Sequence, residues 1–452
     1  MIGQFPWDPF PPSGEPDPKG PDPLHAIAFR AAVTSADAYR SVRLALRRDA
    51  GTLRIGNRFV TDGRYRQVAF LAFGNAANSM ALAALDAVGD RLTQGFLAGP
   101  EPVLADLPFR GTRVGPGWGG APEAESVVAA ATELSGGLSE QDLLLVLLSG
   151  GAVRSLLQPP EGLRPEEFGN VLAEAHRRGA SGAEVALLSR VLGRGAVAGR
   201  LALVPSRADV ATLIVDRGDG ARLLGGGPMH PLGPDERRAG LEVLARVGLS
   251  AMLPPALASA DGPTPLSNPG LPERIARPVV VASPGDALKA AADAVFDKGW
   301  TSRLAFLSLP DPPAAAADKF LSRADDLYVA EGLTAESRTK GVGAFAMTTL
   351  GLPEGVDEGP ALGEFLTAAR DGLRRRDMSL GLFRTAGAVG ASEYPAGAVV
   401  GAPTDRELVV RPDRARVVAM RRGITDVGML ATALVPVPVA RDRSDRAPGR
   451  TG

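Results

Sequence analysis

The stretch that decides the fold is Gln67–Val88, with the sequence QVAFLAFGNAANSMALAALDAV. Its first part, Val68–Phe73, is a continuous apolar run that predicts a buried strand, and a helical pattern opens directly behind Gly74. A strand that turns on glycine into a helix directs backbone N–H groups and the positive end of the helix dipole at one place, which favours a phosphate or a carboxylate. Because no lysine occurs between Lys19 and Lys289, an anion site here must use backbone, dipole and arginine.

The composition narrows the class of protein. A chain of 452 residues that is 45% hydrophobic has a normal core and room for roughly two to three domains. Its formal net charge of −1 gives no indication of a nucleic-acid partner. Since no apolar run approaches the roughly 20 residues that span a bilayer, and the N-terminus lacks a basic region and an apolar signal core, we expect a cytoplasmic protein without membrane association.

The cysteine and histidine content argues against thiol chemistry and against most metal sites. The chain has no cysteine, so we expect no disulfide, no thiolate nucleophile and no cysteine-ligated metal. Its histidines, His25, His176 and His230, are far apart in the sequence, which argues against a multi-histidine metal site.

Strands and helices alternate along the rest of the chain. Strands are predicted at Gly95–Ala98, Asp142–Leu148, Ala211–Val215, Pro278–Ala282 and Arg303–Leu307, with shorter ones at Ser379–Phe383, Ala398–Val400, Leu408–Val410 and Arg416–Met420. Helices are predicted within Leu24–Arg48 and at Ser126–Leu134, Pro165–Arg178, Ala183–Leu203, Asp235–Val247, Pro284–Lys298 and Pro360–Arg375. This alternation predicts an α/β fold with mostly parallel sheets.

The domain organisation follows from the Pro-rich segments. Residues 1–23 are expected to be a disordered Pro-rich arm, and residues 441–452 a disordered polar tail. Residues 24–252 are predicted to form a Rossmann-like, doubly wound α/β domain, and residues 278–440 a smaller α/β domain. The Pro-rich stretch 253–277 between them is interpreted as a linker, and we expect a crevice between the two domains.

Three predicted strands end in loops that suit a ligand. These loops are Phe73-Gly74-Asn75, Ser149-Gly150-Gly151, and Asp216 with the glycine-rich turn that includes Gly218. Ligands of open α/β sheets bind at the carboxyl ends of the strands. Each glycine alone is explained by turn geometry, but together the three loops predict that at least two of them line one crevice.

Several side chains in and near these loops are candidates for chemistry. Ser149 and the amides of Gly150 and Gly151 are candidates for an anion site, and Arg154 lies just beyond them. Asp216 follows a strand, where a catalytic or Mg²⁺-binding carboxylate is expected, and the alternative is an aspartate that caps a helix or turn. Arg190 is either a bidentate carboxylate ligand or a solvated residue on an amphipathic helix.

The ordered series of loops resembles the glycerate 2-kinase family, whose C-terminal domain is called MOFRL. The family has Gly-Lys-Ala where this chain has Gly74-Asn75-Ala76, and Ser-Gly-Gly-Gly-Ser where it has Ser149-Gly150-Gly151-Ala152-Val153. Its Arg-Lys-His helix matches the frame that begins at Arg190, and its Ser-Asp before a glycine-rich turn matches Val215-Asp216. The similarity runs over Leu24–Leu249 and resumes at Val279–Trp300.

The resemblance implies an activity and a set of roles. The family reaction is ATP-dependent phosphorylation of D-glycerate to 2-phosphoglycerate, with ATP and Mg²⁺ as cofactors. On this chain it implies that Asp216 is catalytic and holds the metal, and that Arg190 holds the substrate carboxylate. The residues implied to bind the cofactor are Gly74, Asn75, Ser149, Gly150, Gly151, Arg154 and Gly218.

The departures from the family pattern remove cations and polar groups. The family lysine of the first turn is Asn75, and the second serine of the Ser-Gly-Gly loop is Val153. The Lys-His pair is Val191 and Leu192, and the later lysine is Val197. Phosphoryl transfer depends on positioning and on cations that neutralise developing charge. The sequence therefore predicts an activity that is weakened, altered or lost.

Two hypotheses remain from the sequence. The first is a kinase of glycerate or a similar hydroxy acid with a diverged site. The second is a pseudoenzyme that keeps the fold and acts as a ligand-binding, regulatory or partner protein. A hydroxypyruvate reductase is disfavoured because the chain has no Gly-x-Gly-x-x-Gly fingerprint followed by the expected acidic residue. The partner expected in either case is a small hydroxy acid or another anion, and a homo-oligomer is left open.

Overall fold

The fold is described from a computed structural model of the full chain. The residues that the structure describes are 27–28, 31–32, 34–105, 107–115, 120–195, 197, 207–216, 227–229, 232–254, 257, 275–297, 301–305, 309, 311–330, 344–350, 364–365, 367–369, 379–384, 397–401, 407–410 and 429–435. Several predictions lie outside them, namely the arm 1–23, the tail 441–452, the strand Arg416–Met420 and the loop residue Gly218.

The helices of the described residues are α1 Ala38–Ala45, α2 Ala77–Val88, α3 Ala124–Gly136, α4 Ala152–Leu156, α5 Pro165–Arg177, α6 Gly182–Leu192, α7 Pro234–Arg246, α8 Pro284–Phe296 and α9 Pro313–Ala330. The strands are β1 Leu46–Asp49, β2 Thr52–Ile55, β3 Arg58–Thr61, β4 Gln67–Phe73, β5 Leu92–Gly99, β6 Arg110–Arg113, β7 Asp142–Leu148, β8 Leu157–Gln158, β9 Arg194–Gly195, β10 Asp209–Val215, β11 Val279–Ala282, β12 Thr301–Leu304, β13 Ala344–Leu350, β14 Ser379–Arg384, β15 Gly397–Gly401, β16 Glu407–Val410 and β17 Met429–Val435.

The main sheet has the order β11-β10-β7-β4-β5-β6, and every described pair in it is parallel. From β4 the chain moves outward to β5 and β6, and it then returns to the other side of β4 to form β7, β10 and β11. The direction of winding therefore reverses between β4 and β7. This is the doubly wound topology that the sequence predicts, and a reversal of this kind opens a crevice at the carboxyl ends of the two strands.

The central strand β7 shows why the sheet is buried on both faces. Its sequence, DLLLVLL, is buried at every position. Leu143, Leu145 and Leu147 belong to the core cluster that includes α1, α2 and α8. The alternate residues Leu144, Val146 and Leu148 belong to the cluster on the opposite face, which includes residues of α3 to α7. A continuous apolar run is needed because both faces of a parallel sheet are covered by helices.

Aspartates at the amino ends of two strands accept hydrogen bonds from neighbouring side chains. Asp142, the first residue of β7, is completely buried and accepts hydrogen bonds from Nε and Nη2 of Arg66 at 3.2 and 3.0 Å. Burial raises the pKa of Asp142, but hydrogen bonds from Ser139 and Arg66 outweigh it and leave the pKa below its ordinary value. At the start of β10, Asp209 accepts from Tyr65 at 2.9 Å.

The prediction of helices across Leu24–Arg48 is wrong at its C-terminal end. Helix α1 ends at Ala45, and the chain continues into β1, which pairs with β2, which in turn pairs with β3, all antiparallel. The connection between β1 and β2 is Ala50-Gly51, with φ of 41° and 83°. Two consecutive positive φ values suit a tight hairpin. The strands are short and rich in arginine, so they lack the apolar run on which the prediction depended.

The sequence predicts that the strand Pro278–Ala282 belongs to the second domain, but the structure places this strand, Val279–Ala282, in the main sheet. As β11 it pairs in parallel with β10, and the Asp216 amide donates to the Ala282 carbonyl at 2.8 Å. The following helix α8 contributes Ala287 and Val295 to the same core as α1 and α2. The main-sheet unit therefore continues past residue 278. A local pattern identifies a strand but not its partner, which here is distant in sequence.

The second sheet differs from the parallel arrangement that was expected. Its order is β12-β13-β17-β14-β15-β16. Only β12 and β13 pair in parallel among its described strands, and the other neighbours are antiparallel. The connection between β15 and β16 is too short for a parallel crossover, which needs about a dozen residues or more. The α/β class holds for the chain, but the prediction of mostly parallel pairing is wrong for this sheet.

Helix α6 is shorter than the prediction of Ala183–Leu203. It begins with Ser181 as its capping residue and ends at Leu192. A Cβ at Gly193 would lie 2.2 Å from Leu157 Cδ1 and 2.4 Å from the Ser189 carbonyl oxygen. Glycine is needed here because the chain passes so close to β8, with which β9 then pairs. Helix α9 and strand β13 were not predicted.

Candidate functional site

The predicted ligand loops meet at the carboxyl edge of the main sheet. Gly74 follows β4, Ser149 follows β7 and Asp216 follows β10. Because these three strands are adjacent in the sheet, the loops lie side by side, with the reversal of winding between the first two. We call the place where the loops after β4 and β7 meet the switch-point site.

The two loops of the switch-point site are hydrogen-bonded to each other. The amide of Asn75 donates to the Gly150 carbonyl at 2.7 Å, and the amide of Ala76 donates to Ser149 Oγ at 3.0 Å. The Ser149 hydroxyl donates in turn to the Phe73 carbonyl at 3.3 Å, and the Ser149 side chain is fully buried. These backbone donors were expected to face a ligand. Instead they join the two loops, because buried N–H groups take the nearest acceptor.

Gly74 allows this close approach. Its φ is +108°, a conformation that side chains of L-residues rarely adopt. A Cβ at Gly74 would lie 2.5 Å from Ser149 Oγ and 2.6 Å from the carbonyl oxygens of both Ser149 and Gly150. Two of these three neighbours are backbone atoms, which cannot turn aside. The glycine is therefore required by the contact between the loops as well as by its own backbone.

Two predicted side chains, those of Asn75 and Arg154, approach Gly151. This residue has φ +87° and precedes the short helix α4. A Cβ at Gly151 would lie 3.0 Å from Asn75 Oδ1 and 3.5 Å from Arg154 Nη2. The amide of Asn75 and the guanidinium of Arg154 thus approach the same point from the two loops, and both side chains are half-buried.

Asp216 lies one strand further along the same edge. It follows β10, whose neighbours are β7 and β11, and its side chain is buried. Its position agrees with the predicted place for a carboxylate at a strand end, beside the Ser149 loop. Gly218, the other predicted residue of this loop, lies outside the described residues.

Arg190 is completely buried, contrary to the alternative of a solvated helix residue. It is on α6, and its Nη1 lies 3.7 Å from Oε1 of Glu236 in the first turn of α7. Glu236 also accepts from the Gly233 amide at 2.9 Å and so caps α7. The ion pair connects α6 to the start of α7. A substrate carboxylate would have to replace or supplement Glu236 to reach this guanidinium.

The positions at which family polar residues are missing lie in the core. Val153, Val191, Leu192 and Val197 are all buried and belong to one cluster on the α3 to α7 face of the sheet. Val191 also contacts α7 so closely that a Cβ at Gly240 would lie 2.8 Å from its Cγ2. The side chains that replace serine, lysine and histidine are therefore packed against apolar neighbours.

One residue near the site was missed from the sequence. Asn78 on α2 is buried, donates from Nδ2 to the Pro102 carbonyl at 2.9 Å and accepts from the Leu104 amide at 3.2 Å. It thereby holds the loop after β5 against α2. An asparagine within a helix that is otherwise rich in alanine was the available signal.

The residues of the site are compatible with Mg²⁺, but the first turn does not fit the phosphates of ATP. Mg²⁺ is commonly held by one or two carboxylates together with phosphate oxygens, so Asp216 alone is compatible with it. In the described part of the chain, no group of three or more His, Cys, Asp or Glu residues is arranged to hold a metal by itself. The first turn does not fit a phosphate cradle, because the amides of Asn75 and Ala76 and the Ser149 hydroxyl are bonded to protein groups.

None of the helices in the described residues is both long enough and apolar enough to cross a bilayer.

Comparison with known proteins places the chain in a family. The family model described as "Domain of unknown function (DUF4147)" matches residues 25–260, which is more than half of the chain. A glycerate kinase of Bos taurus is 29% identical over 232 residues, or 47% of this chain and 43% of that protein. A glycerate kinase of Homo sapiens is 30% identical over 200 residues, or 41% of this chain and 38% of that protein. The aligned part thus spans less than half the length of these relatives.

Two solved structures share the fold over most of the chain. A protein of Pyrococcus horikoshii OT3 matches with a TM-score of 0.59 at 16% identity, covering 92% of this chain and 98% of that one. The glycerate kinase of Thermotoga maritima matches with a TM-score of 0.57 at 18% identity, covering 92% and 100%. At these identities the two structures support the fold alone. Together with the family match, they lead to one conclusion: the chain belongs to the DUF4147 family and is a diverged, glycerate kinase-like protein.

Proposed function

We propose that the chain binds a small hydroxy-acid anion at the switch-point site and that its ATP-dependent phosphorylation of D-glycerate is strongly weakened. The binding half of the proposal is supported by the family, by the glycerate kinases among its relatives and by the convergence of Asn75 and Arg154. The weakened chemistry is supported by the apolar residues that stand where the family has polar or cationic ones.

The observation that carries the proposal is the burial of the substituted positions. Val153, Val191, Leu192 and Val197 replace polar or cationic family residues, and all four are buried in one apolar cluster. Apolar side chains at these positions supply no cation for the charge that develops on a transferring phosphoryl group. Losing one electrostatic contact of this kind costs on the order of 10²- to 10³-fold in rate. The loss of several leaves a small residual activity, even though such effects are not additive.

The remaining polar residues receive separate roles. Arg154 and Asn75 bind the anion, and the role toward the substrate hydroxyl or Mg²⁺ goes to Asp216, because it follows β10, the strand beside β7. Mg²⁺, when bound, would neutralise phosphate charge beside Asp216. Arg190 is a positioning residue, because its guanidinium is buried against Glu236 and fixes the start of α7.

Calorimetry tests the proposal. The purified full chain is titrated with D-glycerate and, separately, with ATP–Mg²⁺, and ADP formation is followed with both present. Asp216→Ala is compared with Asp235→Ala, a matched aspartate whose side chain is 84% exposed on the first turn of α7. We expect D-glycerate binding, slow ADP formation, and loss of that ADP formation only in Asp216→Ala.

The other results are equally informative. Rapid ADP formation contradicts the weakened chemistry. If neither D-glycerate nor ATP–Mg²⁺ binds at millimolar concentration, the proposed kinase-like function is contradicted. Binding of D-glycerate without any ADP would favour the second candidate, a ligand-binding or regulatory member of the family that has lost catalysis. The observation in favour of that candidate is the burial of Val153, Val191, Leu192 and Val197 in one apolar cluster.

A further inference from the structure

The segment from Arg40 to Arg66 is strongly basic. It has eight arginines, two aspartates and no lysine or glutamate, within a chain whose formal net charge is −1. It forms most of α1 and the antiparallel sheet β1–β2–β3. A Cβ at Gly56, between β2 and β3, would lie 2.8 Å from Cγ2 of Val279, the first residue of β11. The small sheet is therefore at the amino edge of the main sheet, and the switch-point site is at the opposite edge.

The inner face of the small sheet has all of its groups accounted for. Leu46, Leu53 and Ile55 are buried in the core cluster that includes residues of α1 and α2. Arg48, which is opposite Leu53 in the strand register, donates from Nε to Oδ2 of Asp62 at 2.8 Å. The arginine on this side of the sheet thus has a carboxylate partner within the fold.

The outer face carries a row of exposed side chains. In the strand register Arg47 is opposite Arg54, and Arg54 is opposite Phe59. Residues directly opposite each other share a face of the sheet, and all three are exposed. Phe59 is 69% exposed, and Cζ of Arg54 lies 5.8 Å from the centroid of its ring. We call this row, Arg47, Arg54 and Phe59, the arginine face.

The stability of the small sheet does not explain the arginine face. Like charges directly opposite each other on neighbouring strands are destabilising. Arg47 pairs with Asp49 of its own strand, but both side chains are more than half exposed, and such pairs contribute little. Arg54 donates from Nε to the Gly56 carbonyl at 2.9 Å, and no carboxylate of the described residues pairs with it. Charged residues protect short strands from pairing with other chains, but an exposed phenylalanine gives no such protection.

The arm of residues 1–23 has the chemistry that complements this face. Its acidic residues are Asp8, Glu15, Asp17 and Asp22, and its aromatic residues are Phe5, Trp7 and Phe10. Its basic side chains are limited to Lys19. Carboxylates pair with guanidinium groups, and aromatic rings stack on them. Pro-rich segments bind to exposed aromatic side chains in an extended form.

The arm also starts close enough to reach the arginine face. It leads into Ile27 and Ala28, which pack in the core cluster to which Leu46, Leu53 and Ile55 belong. A Pro-rich chain extends by about 3.1 Å per residue, so a segment of this length spans up to roughly 70 Å. The connection between the arm and the fold therefore leaves the arginine face within its range.

We propose that the arm of residues 1–23 docks on the arginine face of its own chain. Its carboxylates lie against Arg47 and Arg54, and its aromatic side chains lie against Phe59. This inference goes beyond the proposed function and does not rest on it, because the arginine face is at the edge of the main sheet opposite to the switch-point site. We therefore expect D-glycerate binding to be the same whether the arm is docked or released.

The fluorescence of Trp7 in the full chain tests the proposal. The substitutions Trp118→Phe and Trp300→Phe leave Trp7 as the only tryptophan. Quenching by acrylamide then measures how exposed Trp7 is, and a synthetic peptide of residues 1–23 supplies the value for a free arm. Measurements at two salt concentrations and two protein concentrations test the electrostatic contribution and the involvement of a second copy.

The variants remove each side of the contact in turn. One variant combines Arg47→Ser with Arg54→Ser, another is Phe59→Ala, and a third has the four carboxylates of the arm replaced by amides. Arg177→Ser is the control, because Arg177 is an arginine at the end of α5 with a side chain that is 71% exposed. Circular dichroism checks that each variant is folded.

We expect Trp7 to be protected in the wild-type arm and face. At about 0.1 M salt its quenching constant should be at least about twofold lower than in the free peptide. It should rise toward the peptide value at about 1 M salt, because the Debye length falls from about 10 Å to about 3 Å. The double arginine variant, Phe59→Ala and the neutralised arm should each raise the constant at low salt, and Arg177→Ser should leave it unchanged.

Three results would overturn the proposal. The first is a quenching constant of Trp7 equal to that of the free peptide at low salt. The second is protection of Trp7 that survives the loss of both Arg47 and Arg54 in a folded chain. The third is protection that increases with protein concentration, because the arm would then dock on a second copy. None of these results affects the proposed function, which is tested separately by D-glycerate binding.

Discussion

Substitution of Gly74 by alanine tests the contact between the loops after β4 and β7. The added methyl would lie 2.5 Å from Ser149 Oγ and 2.6 Å from the carbonyl oxygens of Ser149 and Gly150. The backbone φ of +108° adds strain for any L-side chain. Strain at such a position costs about 1–3 kcal/mol, and overpacking of a close contact costs about 1–3 kcal/mol. We therefore expect Gly74→Ala to lower the free energy of unfolding by about 2–6 kcal/mol.

A matched glycine separates the two contributions. Gly162 has φ +85°, but a Cβ there would have no heavy atom within 4 Å. Gly162→Ala should therefore show the backbone strain alone, about 1–2 kcal/mol. The difference between the two variants measures the cost of pushing the loops apart.

Urea denaturation followed by circular dichroism gives both free energies. We expect Gly74→Ala to unfold at a clearly lower urea concentration than Gly162→Ala, because it carries both contributions. We also expect weaker D-glycerate binding in Gly74→Ala, because displaced loops move Asn75 away from Arg154. Equal stability of the two variants would refute the close contact between the loops.

Three further predictions concern buried charges. Burial raises the pKa of Asp37 from 3.8 to about 6. Protonation of this carboxyl therefore stabilises the folded state by at most about 3 kcal/mol below about pH 4, and this contribution is lost as the pH rises through 6. Urea denaturation from pH 4 to 7 should show this decline in the wild-type chain and much less of it in Asp37→Asn. Asp142 has a lowered pKa, so its contribution is present above about pH 4 and lost as the pH falls through that lowered pKa, and Asp142→Asn should cost about 1–3 kcal/mol at pH 7 and progressively less as the pH falls below 4. Arg190→Met should lower the thermal midpoint through loss of the buried pair with Glu236, and an unchanged midpoint would contradict its positioning role.

The geometry behind the Asp37 prediction is unusual for a helix cap. Asp37 begins α1, and its Oδ1 accepts from the Arg40 amide at 2.6 Å. Its other oxygen, Oδ2, is buried and has no hydrogen-bond partner among the described residues. An ionised carboxylate with one bare oxygen is costly, which is why desolvation dominates the pKa shift.

The elements with strong local patterns could be predicted from the sequence. The apolar run Asp142–Leu148 was predicted with its observed bounds, and the strand, glycine and helix of Gln67–Val88 were predicted in order. Continuous apolar residues identify a central parallel strand because both faces are covered. The arginine-rich strands β1 to β3 gave no such signal. The pairing of β11 with β10 depends on a partner far away in the sequence.

Part of the candidate site could be predicted from the sequence, because its loops follow strands with strong apolar patterns. The loops of Gly74 and Ser149 were expected to line one crevice, because both follow strands of a parallel sheet, and the structure brings them together. Periodicity could not reveal that their amides and hydroxyl bond to each other instead of facing a ligand. It also could not show that Arg190 is enclosed beside Glu236. These facts depend on contacts between segments that are distant in the chain.

The most direct test of the account is the rate of ADP formation by the wild-type chain with saturating D-glycerate and millimolar ATP–Mg²⁺. Typical kinases have kcat values of about 1–100 s⁻¹. The burial of Val153, Val191, Leu192 and Val197 in one apolar cluster, where the family has polar or cationic residues, predicts a kcat below about 1 s⁻¹, since one lost electrostatic contact alone costs on the order of 10²-fold, together with measurable D-glycerate binding. A kcat within the ordinary kinase range would contradict the account.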